Sequence, residues 1–390
     1  MFFPFASRRN GPSVGIARTL LGNASPRISC YAANTVNRLF LLALCTVFSA
    51  ANVCAQTPGW QPSSGHTQIP IWPGAAPDLQ PVNGPETVKT EVKDQVAGRP
   101  WTYVENVTTP TMTVYSPTGT NGSRNGKNEG AAIIVFPGGG YQILAIDLEG
   151  TEVCDWLTQK GITCVLLKYR VTDVGPYPKS GPYPESPMAL EDAQRTLRLV
   201  RLHAAEWHID PHKIGVLGFS AGGHLAVAAS VYFDKRLYAP IDAADQLSCR
   251  PDFAVAMYPG HLSRAAAESD ADFGAKKFAL PPPDALAAVD ENLGLNPAIQ
   301  IPKDTPPTFL LQAEDDHVDS VYDSLSYYIA LKKAGVPAEM HLYTEGNHGF
   351  GLRRTKLPIT AWPQLVDTWL GTIGMIPDSP PAAAHSNELR

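Results

Sequence analysis

The sequence has no run of basic residues and no stripe in which aromatic and basic side chains interleave, and its formal charge is −6. That balance argues against nucleic acid or any other polyanion as a partner. It has six scattered cysteines and no Cys-x-x-Cys pair, so a thiolate metal site is not expected. It has no Gly-x-Gly-x-x-Gly, and no Lys-Ser/Thr follows its glycine triplet, which leaves nucleotide binding poorly supported. It has no internal repeat. Its one long apolar run, "LFLLALCTVFSA" at 39–50, is too short for a comfortable membrane span. What remains is 390 residues, 44% hydrophobic and 17% charged, ample for a large core.

The apolar run is read as the centre of a secretory leader. Arg38 precedes it, and Val53 and Ala55 then satisfy the small-x-small rule for cleavage after Ala55. Residues 1–55 are thus expected to be a signal peptide, with either an extended basic leader or a true start near Val36; a retained anchor is the weaker alternative. Cleavage leaves Cys154, Cys164 and Cys249. An odd count excludes complete intramolecular pairing, so buried thiols and a single bridge both stay open in an oxidising compartment.

Residues 56–100 are turn-rich and are read as an extended segment on the surface of a catalytic domain at 101–375, with a flexible tail at 376–390. "TYVENV" (102–107) and "TMTVYSP" (111–117) alternate and are β-branched, and are expected to form a hairpin at a sheet edge. "NGSRNGKNEG" (121–130) is a loop tip. From Ala131 the apolar runs "AAIIVF", "ITCVLLKY", "KIGVLGF", "DFAVAMY", "PTFLLQ" and "AEMHLY" recur, with amphipathic segments at 150–160, 188–207, 221–233 and 320–334. Continuous apolar strands alternating with helices imply an α/β fold with a mostly parallel, doubly wound sheet covered on both faces. Two insertions, 172–187 and 261–306, follow strands and are expected to wall a site at the carboxyl ends of the sheet.

Chemistry concentrates at those strand ends. "KIGVLGFSAGGHLAVAA" (213–229) places Ser220 between glycines where a strand passes into a helix, a spacing that projects a hydroxyl outward. A serine needs a base, and the base needs a third group to fix its tautomer. After "PTFLLQ" comes "AEDDHVDS" with Asp315, Asp316 and Asp319; after "AEMHLY" comes "TEGNHGFGL" with His348. The order Ser, Asp, His is that of α/β-hydrolases. His224 lies a turn into the helix after Ser220 and is read as running beside the turn. His203, His208 and His212 fall at the opposite end of the sheet, His317 in the acid loop and His341 within a strand. "VFPGGGY" (135–141) offers the N–H groups of Gly139 and Gly140, with that of Ala221 at a helix N-terminus, to a developing oxyanion.

"PGGGY", "LKYRV", "GFSAGGHLA" and "GNHGFGL" resemble the bacterial esterase family of α/β-hydrolases that includes acetyl xylan esterases and related carbohydrate esterases. The resemblance spans roughly residues 69–370. It implies an oxyanion hole from the glycine motif, Ser220 as nucleophile and His348 as base, with neither metal nor organic cofactor. Many relatives carry His-Gly-Gly-Gly where this chain has Pro137 before its glycines. Relatives place the acid before a short turn ending in Val-Pro; counting from "LLQA" onto that pattern puts it on Asp316, although Asp319-Ser320 stand in place of Val-Pro and a slip by one residue would select Asp315. Asp319 is then read as the N-cap of the helix starting near Ser320. Asp147 and Glu149 are read as a helix N-cap with favourable dipole placement, with a sugar contact as the minority reading, Asp192 and Arg195 as structural, and Tyr141 as lining the acyl pocket.

The expectation is a secreted or periplasmic ester hydrolase acting on a small-molecule or polysaccharide ester, foremost the acetyl groups of xylan-type sugars, with no membrane association after leader removal. A feruloyl or general short-chain esterase, a prolyl-oligopeptidase-like peptidase and a catalytically dead binding protein are the rivals. Too little chain precedes Ala131 for the propeller of the peptidase, and the filled triad positions argue against the dead protein.

Overall fold

Antiparallel edge strands lead the chain into a parallel sheet. The computed structural model describes residues 59–79, 84–117, 128–171, 187–264 and 294–377. The expected leader, most of the loop tip at 121–130, the proline-rich insertion up to 186, the stretch containing "LPPPDA" and the tail from 378 lie outside the described residues. The strands are β1 (Gln68–Pro70), β2 (Thr87–Val96), β3 (Arg99–Glu105), β4 (Thr111–Tyr115), β5 (Ala132–Phe136), β6 (Ile143–Leu144), β7 (Thr163–Lys168), β8 (Ile214–Phe219), β9 (Ala254–Met257), β10 (Thr308–Ala313) and β11 (Ala338–Tyr343). The main sheet has the order β1-β4-β7-β5-β8-β9-β10-β11. From β7 to β11 every neighbour is parallel, while β4 pairs antiparallel with both β1 and β7.

The six apolar runs of the sequence are the six parallel strands. Every residue of β5, β7, β8, β9 and β10 is buried, the signature of strands covered on both faces. Each fully buried Val, Leu, Ile or Phe contributes on the order of 1.5–3 kcal/mol over an exposed one. The helices are α1 (Glu152–Gln159), α2 (Pro187–Leu202), α3 (Ala221–Val231), α4 (Val321–Lys333) and α5 (Trp362–Thr372). α3 is buried along its whole length, because its sequence is almost entirely small and apolar. The structure assigns the fold class read from the sequence.

The N-terminal hairpin is real but is built from other residues. Strand 102–107 does not pair with 111–117. β3 pairs instead with β2, and with β6 on its other side, as a separate three-stranded antiparallel sheet, while β4 joins the main sheet. The reason lies at Ala97-Gly98. Both have positive φ, +51° and +70°, the backbone of a tight two-residue hairpin turn. Residues 87–96, inside the stretch read as turn-rich, thereby become a strand. Arg353 secures this sheet to the main body: its guanidinium donates to the carbonyls of Arg99 and Pro100, each at 2.9 Å, and to Glu152 at 2.9 Å.

The cysteine alternatives resolve into one bridge. Cys154 on α1 is bonded to Cys164 on β7, and Cys249 is a buried thiol. Asp192 and Arg195 have the structural roles expected of them. Asp192, wholly buried, accepts from the Trp72 indole at 2.7 Å and from Arg170 at 3.0 Å. Arg195 donates to the Ile71 carbonyl at 2.9 Å and pairs with Asp242 and Asp245.

Candidate active site

Between β8 and α3 the backbone turns through Ser220 at φ 53°, ψ −122°. A non-glycine residue held there costs on the order of 1–3 kcal/mol, which the surrounding packing must sustain. The neighbouring glycines explain how. A Cβ on Gly218 would overlap the Gly222 carbonyl, and a Cβ on Gly222 would overlap the Phe136 carbonyl. The helix can therefore start directly beneath the serine only because both positions lack side chains. The Ser220 N–H donates to the Met257 carbonyl at 3.0 Å, which ties the turn to β9.

Two later strand ends supply a polar relay to this serine. His348 Nε2 lies 2.9 Å from Ser220 Oγ, and His348 Nδ1 lies 2.8 Å from Asp316 Oδ2. A carboxylate only accepts, so Nδ1 carries a proton, and in the neutral imidazole Nε2 faces the hydroxyl as an acceptor. Asp316 is itself held, its Oδ1 accepting from the N–H groups of Val318 and Asp319 at 2.9 and 3.0 Å. Burial disfavours the imidazolium, but the Asp316 hydrogen bond and the charges of Asp316, Asp319 and Glu149 outweigh it and push His348 up to about 9. The Tyr258 ring stands edge-on to the imidazole with centroids 4.9 Å apart. Asp315, the alternative acid, points elsewhere. Its Oδ1 accepts from the N–H groups of Gly346 and Asn347 at 2.9 and 2.7 Å, fastening the loop that carries His348.

The glycine loop after β5 presses against the serine. A Cβ on Gly138 would come within 2.9 Å of the Ser220 Cβ. Gly139 and Gly140 have φ of +133° and +61°, and a Cβ on Gly139 would overlap Ile143. The Gly138 N–H is already committed, donating to Glu149 Oε2 at 2.7 Å. Among the described residues, no acceptor takes the N–H of Gly139, Gly140 or Ala221, the three donors read as an oxyanion hole.

Glu149 corrects its sequence reading. Asp147–Thr151 forms a π-helical turn in which neither Asp147 nor Glu149 caps. Asp147 accepts from Thr102 N–H at 2.8 Å. Glu149 is buried beneath the glycine loop and accepts from the Tyr258 hydroxyl at 2.8 Å, and that hydroxyl in turn accepts from Gly351 N–H at 3.2 Å. Burial raises its carboxyl above the ordinary range, against the Tyr258 and Gly138 donors and the nearby His348. One carboxyl thus connects the glycine loop, the residue that follows β9 and, through that residue's hydroxyl, the loop of His348. Sequence reasoning missed it because its partners lie 11 and 109 residues away.

Asp319 is a second correction. The N-cap of α4 is Ser320, whose hydroxyl accepts from Tyr322 N–H at 3.2 Å. Asp319 is free of that role because its neighbour performs it. Its Oδ2 sits 3.5 Å from Ser220 Oγ and 3.9 Å from His348 Nε2. Burial raises its carboxyl above the ordinary aspartate range, with His348 and His261 opposing.

The remaining candidates lie apart from the relay. His224 is fully buried with Nδ1 2.6 Å from the Tyr141 hydroxyl, and Tyr141 packs edge-on against Tyr169. His341 pairs with Glu339 on β11, and His203 with Glu206 beyond α2. His317 is exposed. Among the described residues, no group of three or more His, Cys, Asp or Glu side chains is arranged to hold a metal ion.

A strand–elbow–helix serine on a mostly parallel sheet, faced by a histidine and a carboxylate from later strand ends, defines the α/β-hydrolase architecture. Residues 133–352 match the family model described as alpha/beta hydrolase fold, and the chain belongs to that family. It is 33% identical to the acetyl ester-xyloside bifunctional hydrolase of Caldicellulosiruptor lactoaceticus, whose crystal structure superposes with a TM-score of 0.56 over 80% of this chain and 97% of that one. It is 28% identical over 225 residues to an acetylxylan esterase of Xylanibacter ruminicola, covering 57% of this chain and 41% of that protein. It is 30% identical over 227 residues to endo-1,4-beta-xylanase B of Butyrivibrio fibrisolvens, covering 56% of this chain and 32% of that protein. The chain thus spans less than half the length of these two curated relatives.

Proposed function

We propose that the chain is a serine carboxylic-ester hydrolase that removes acetyl groups from xylan-type sugars and works outside the cytoplasm. The observation that carries the reading is the unbroken relay Ser220–His348–Asp316, with contacts of 2.9 and 2.8 Å, on a serine in a strained backbone conformation.

Ser220 Oγ attacks the ester carbonyl carbon while its proton passes to His348 Nε2. The carbonyl electrons move to oxygen, and that oxyanion accepts from the N–H groups of Gly139, Gly140 and Ala221. The carbon–alkoxy bond breaks as His348 returns the proton to the leaving oxygen, leaving acetyl-Ser220 and the free alcohol. Water then attacks the acyl carbon, its proton passing to His348. Collapse releases acetate and restores the serine hydroxyl. Asp316 holds the imidazole tautomer and stabilises the imidazolium in both steps.

The acetyl-xylan preference is supported by the acetylxylan esterase and the acetyl ester-xyloside hydrolase to which the chain is similar. Export with removal of residues 1–55 is supported by the apolar run at 39–50, and the Cys154–Cys164 bridge suits an oxidising compartment. The test is a series of aryl esters from acetyl to octanoyl, with acetylated xylan beside it. Acetyl is expected to give the highest kcat/KM and xylan to release acetate. A kcat/KM rising toward octanoyl, where each accommodated methylene is worth about 0.8 kcal/mol, contradicts the acetyl preference. N-terminal sequencing of exported protein is expected to read from Gln56; an intact leader in the membrane fraction contradicts the export reading.

A further inference from the structure

The carboxylate of Asp319 lies beside the reacting atoms and passes no proton in the acyl-transfer steps. Its backbone is fixed from both sides: its N–H donates to Asp316 Oδ1 at 3.0 Å, and its carbonyl accepts from the Gln312 amide at 2.8 Å. Gly260 makes room for its side chain, since a Cβ there would overlap Asp319 Oδ1. The position is therefore built, and it brings a charge to the mouth of the relay. Among the described residues, Ser220 is the hydroxyl within reach, at 3.5 Å, but its single proton is needed 2.9 Å away at His348 Nε2. A half-buried carboxylate short of a donor is costly, and in a site that must admit a ligand the donor can come from the ligand.

The geometry indicates which ligand group that would be. The leaving oxygen of the ester has to come within hydrogen-bond reach of His348 Nε2 to receive its proton. Asp319 Oδ2 lies 3.9 Å from that nitrogen, so a hydroxyl carried beside the leaving oxygen comes within its reach. On a pyranose ring, equatorial oxygens on neighbouring carbons are gauche and about one hydrogen-bond length apart. A carboxylate accepts and cannot donate, so it rewards a free hydroxyl at that place and offers nothing to an ether or a second ester.

We propose that Asp319 is a specificity residue on the alcohol side, accepting a hydrogen bond from a free hydroxyl on the carbon adjacent to the ester-bearing carbon, so that the site selects partly acylated vicinal diols over fully acylated ones. This rests on the ester-hydrolase reading of Ser220 and His348. It narrows that reading to sugar units carrying one ester next to one unprotected hydroxyl.

The experiment compares 2-hydroxyethyl acetate with propyl acetate, in which a methyl of nearly the same size replaces the hydroxyl and removes the donor. Each is assayed with wild-type protein, Asp319→Asn and Asp319→Ala. Wild-type kcat/KM is expected to favour the hydroxy ester by about tenfold to a hundredfold, the scale of one hydrogen bond to a charged acceptor. Asp319→Ala should bring the ratio near one, and Asp319→Asn, which keeps a neutral acceptor oxygen, should lie between. Because the readout is a ratio within one protein, a general loss of activity in a variant does not imitate the result. A wild-type ratio near one overturns the proposal without any variant, as does a high ratio that survives Asp319→Ala; both leave the ester-hydrolase reading standing. Failure of the wild-type protein to hydrolyse either ester, or hydrolysis undiminished in Ser220→Ala, overturns the ester-hydrolase reading and this proposal with it.

Discussion

The elbow at 218–223 and the acid loop at 314–320 contribute to the same site and obey different rules. In the elbow, sterics leave one choice at each place: Gly218 and Gly222 meet backbone carbonyls where any Cβ would sit, and Ser220 is the one residue there with a nucleophilic hydroxyl. In the acid loop, Asp315, Asp316 and Asp319 share one chemistry and three different roles. Asp316 faces the imidazole, Asp315 binds the backbone of Gly346 and Asn347, and Asp319 faces the serine. A segment constrained by excluded volume declares its function in its residue types. A segment constrained by direction declares it only when folded.

Mutations separate the two cases. Ser220→Ala should fold and lose roughly 10⁶ in kcat, because the relay acts as a unit; a variant keeping a tenth of the wild-type rate would remove the elbow from the mechanism. Asp316→Asn should cost roughly 10⁴ in kcat through the wrong imidazole tautomer, with Asp315→Asn losing far less and mainly loosening the His348 loop. If steady-state kinetics instead give the large loss to Asp315→Asn, the roles within the loop are reversed. Gly222→Ala should cost about 1–3 kcal/mol of stability by overpacking against the Phe136 carbonyl, read as a lowered Tm; an unchanged Tm would mean the turn is not sterically tight.

The smallest effect concerns pH. In the proposed mechanism His348 acts as base only when neutral, and burial, which lowers its pKa, is outweighed by Asp316, Asp319 and Glu149, which raise it to about 9. The kcat/KM profile should therefore climb through neutral pH, reach half its plateau near pH 9 and level off above it. Asp319→Asn removes one negative neighbour, so the imidazolium is less favoured and the acid limb should move to lower pH. An acid limb that stays in place would mean the Asp319 charge does not reach the imidazole.

Most of the sheet was legible because its strands are continuous apolar runs, and burial on both faces demands that pattern. The N-terminal sheet was not, because Ala97 adopts a positive φ usually left to glycine or asparagine and so disguised the turn. Ser220, His348 and the glycine donors could be read from local motifs. Asp316 needed the pattern of relatives to separate it from Asp315. Glu149 and Asp319 read as helix caps from the sequence, since a carboxylate near a helix start is usually explained locally and nothing near them in the chain marks a partner across the site.

The proposed catalysis requires that Ser220 Oγ be the atom that becomes acylated and that His348 activate it. Treatment with a fluorophosphonate ester followed by peptide mapping tests both at once. The label is expected on Ser220 in the wild-type protein, absent in Ser220→Ala and slowed by orders of magnitude in His348→Ala. A label on another residue, or labelling of Ser220 at an undiminished rate without His348, would contradict it.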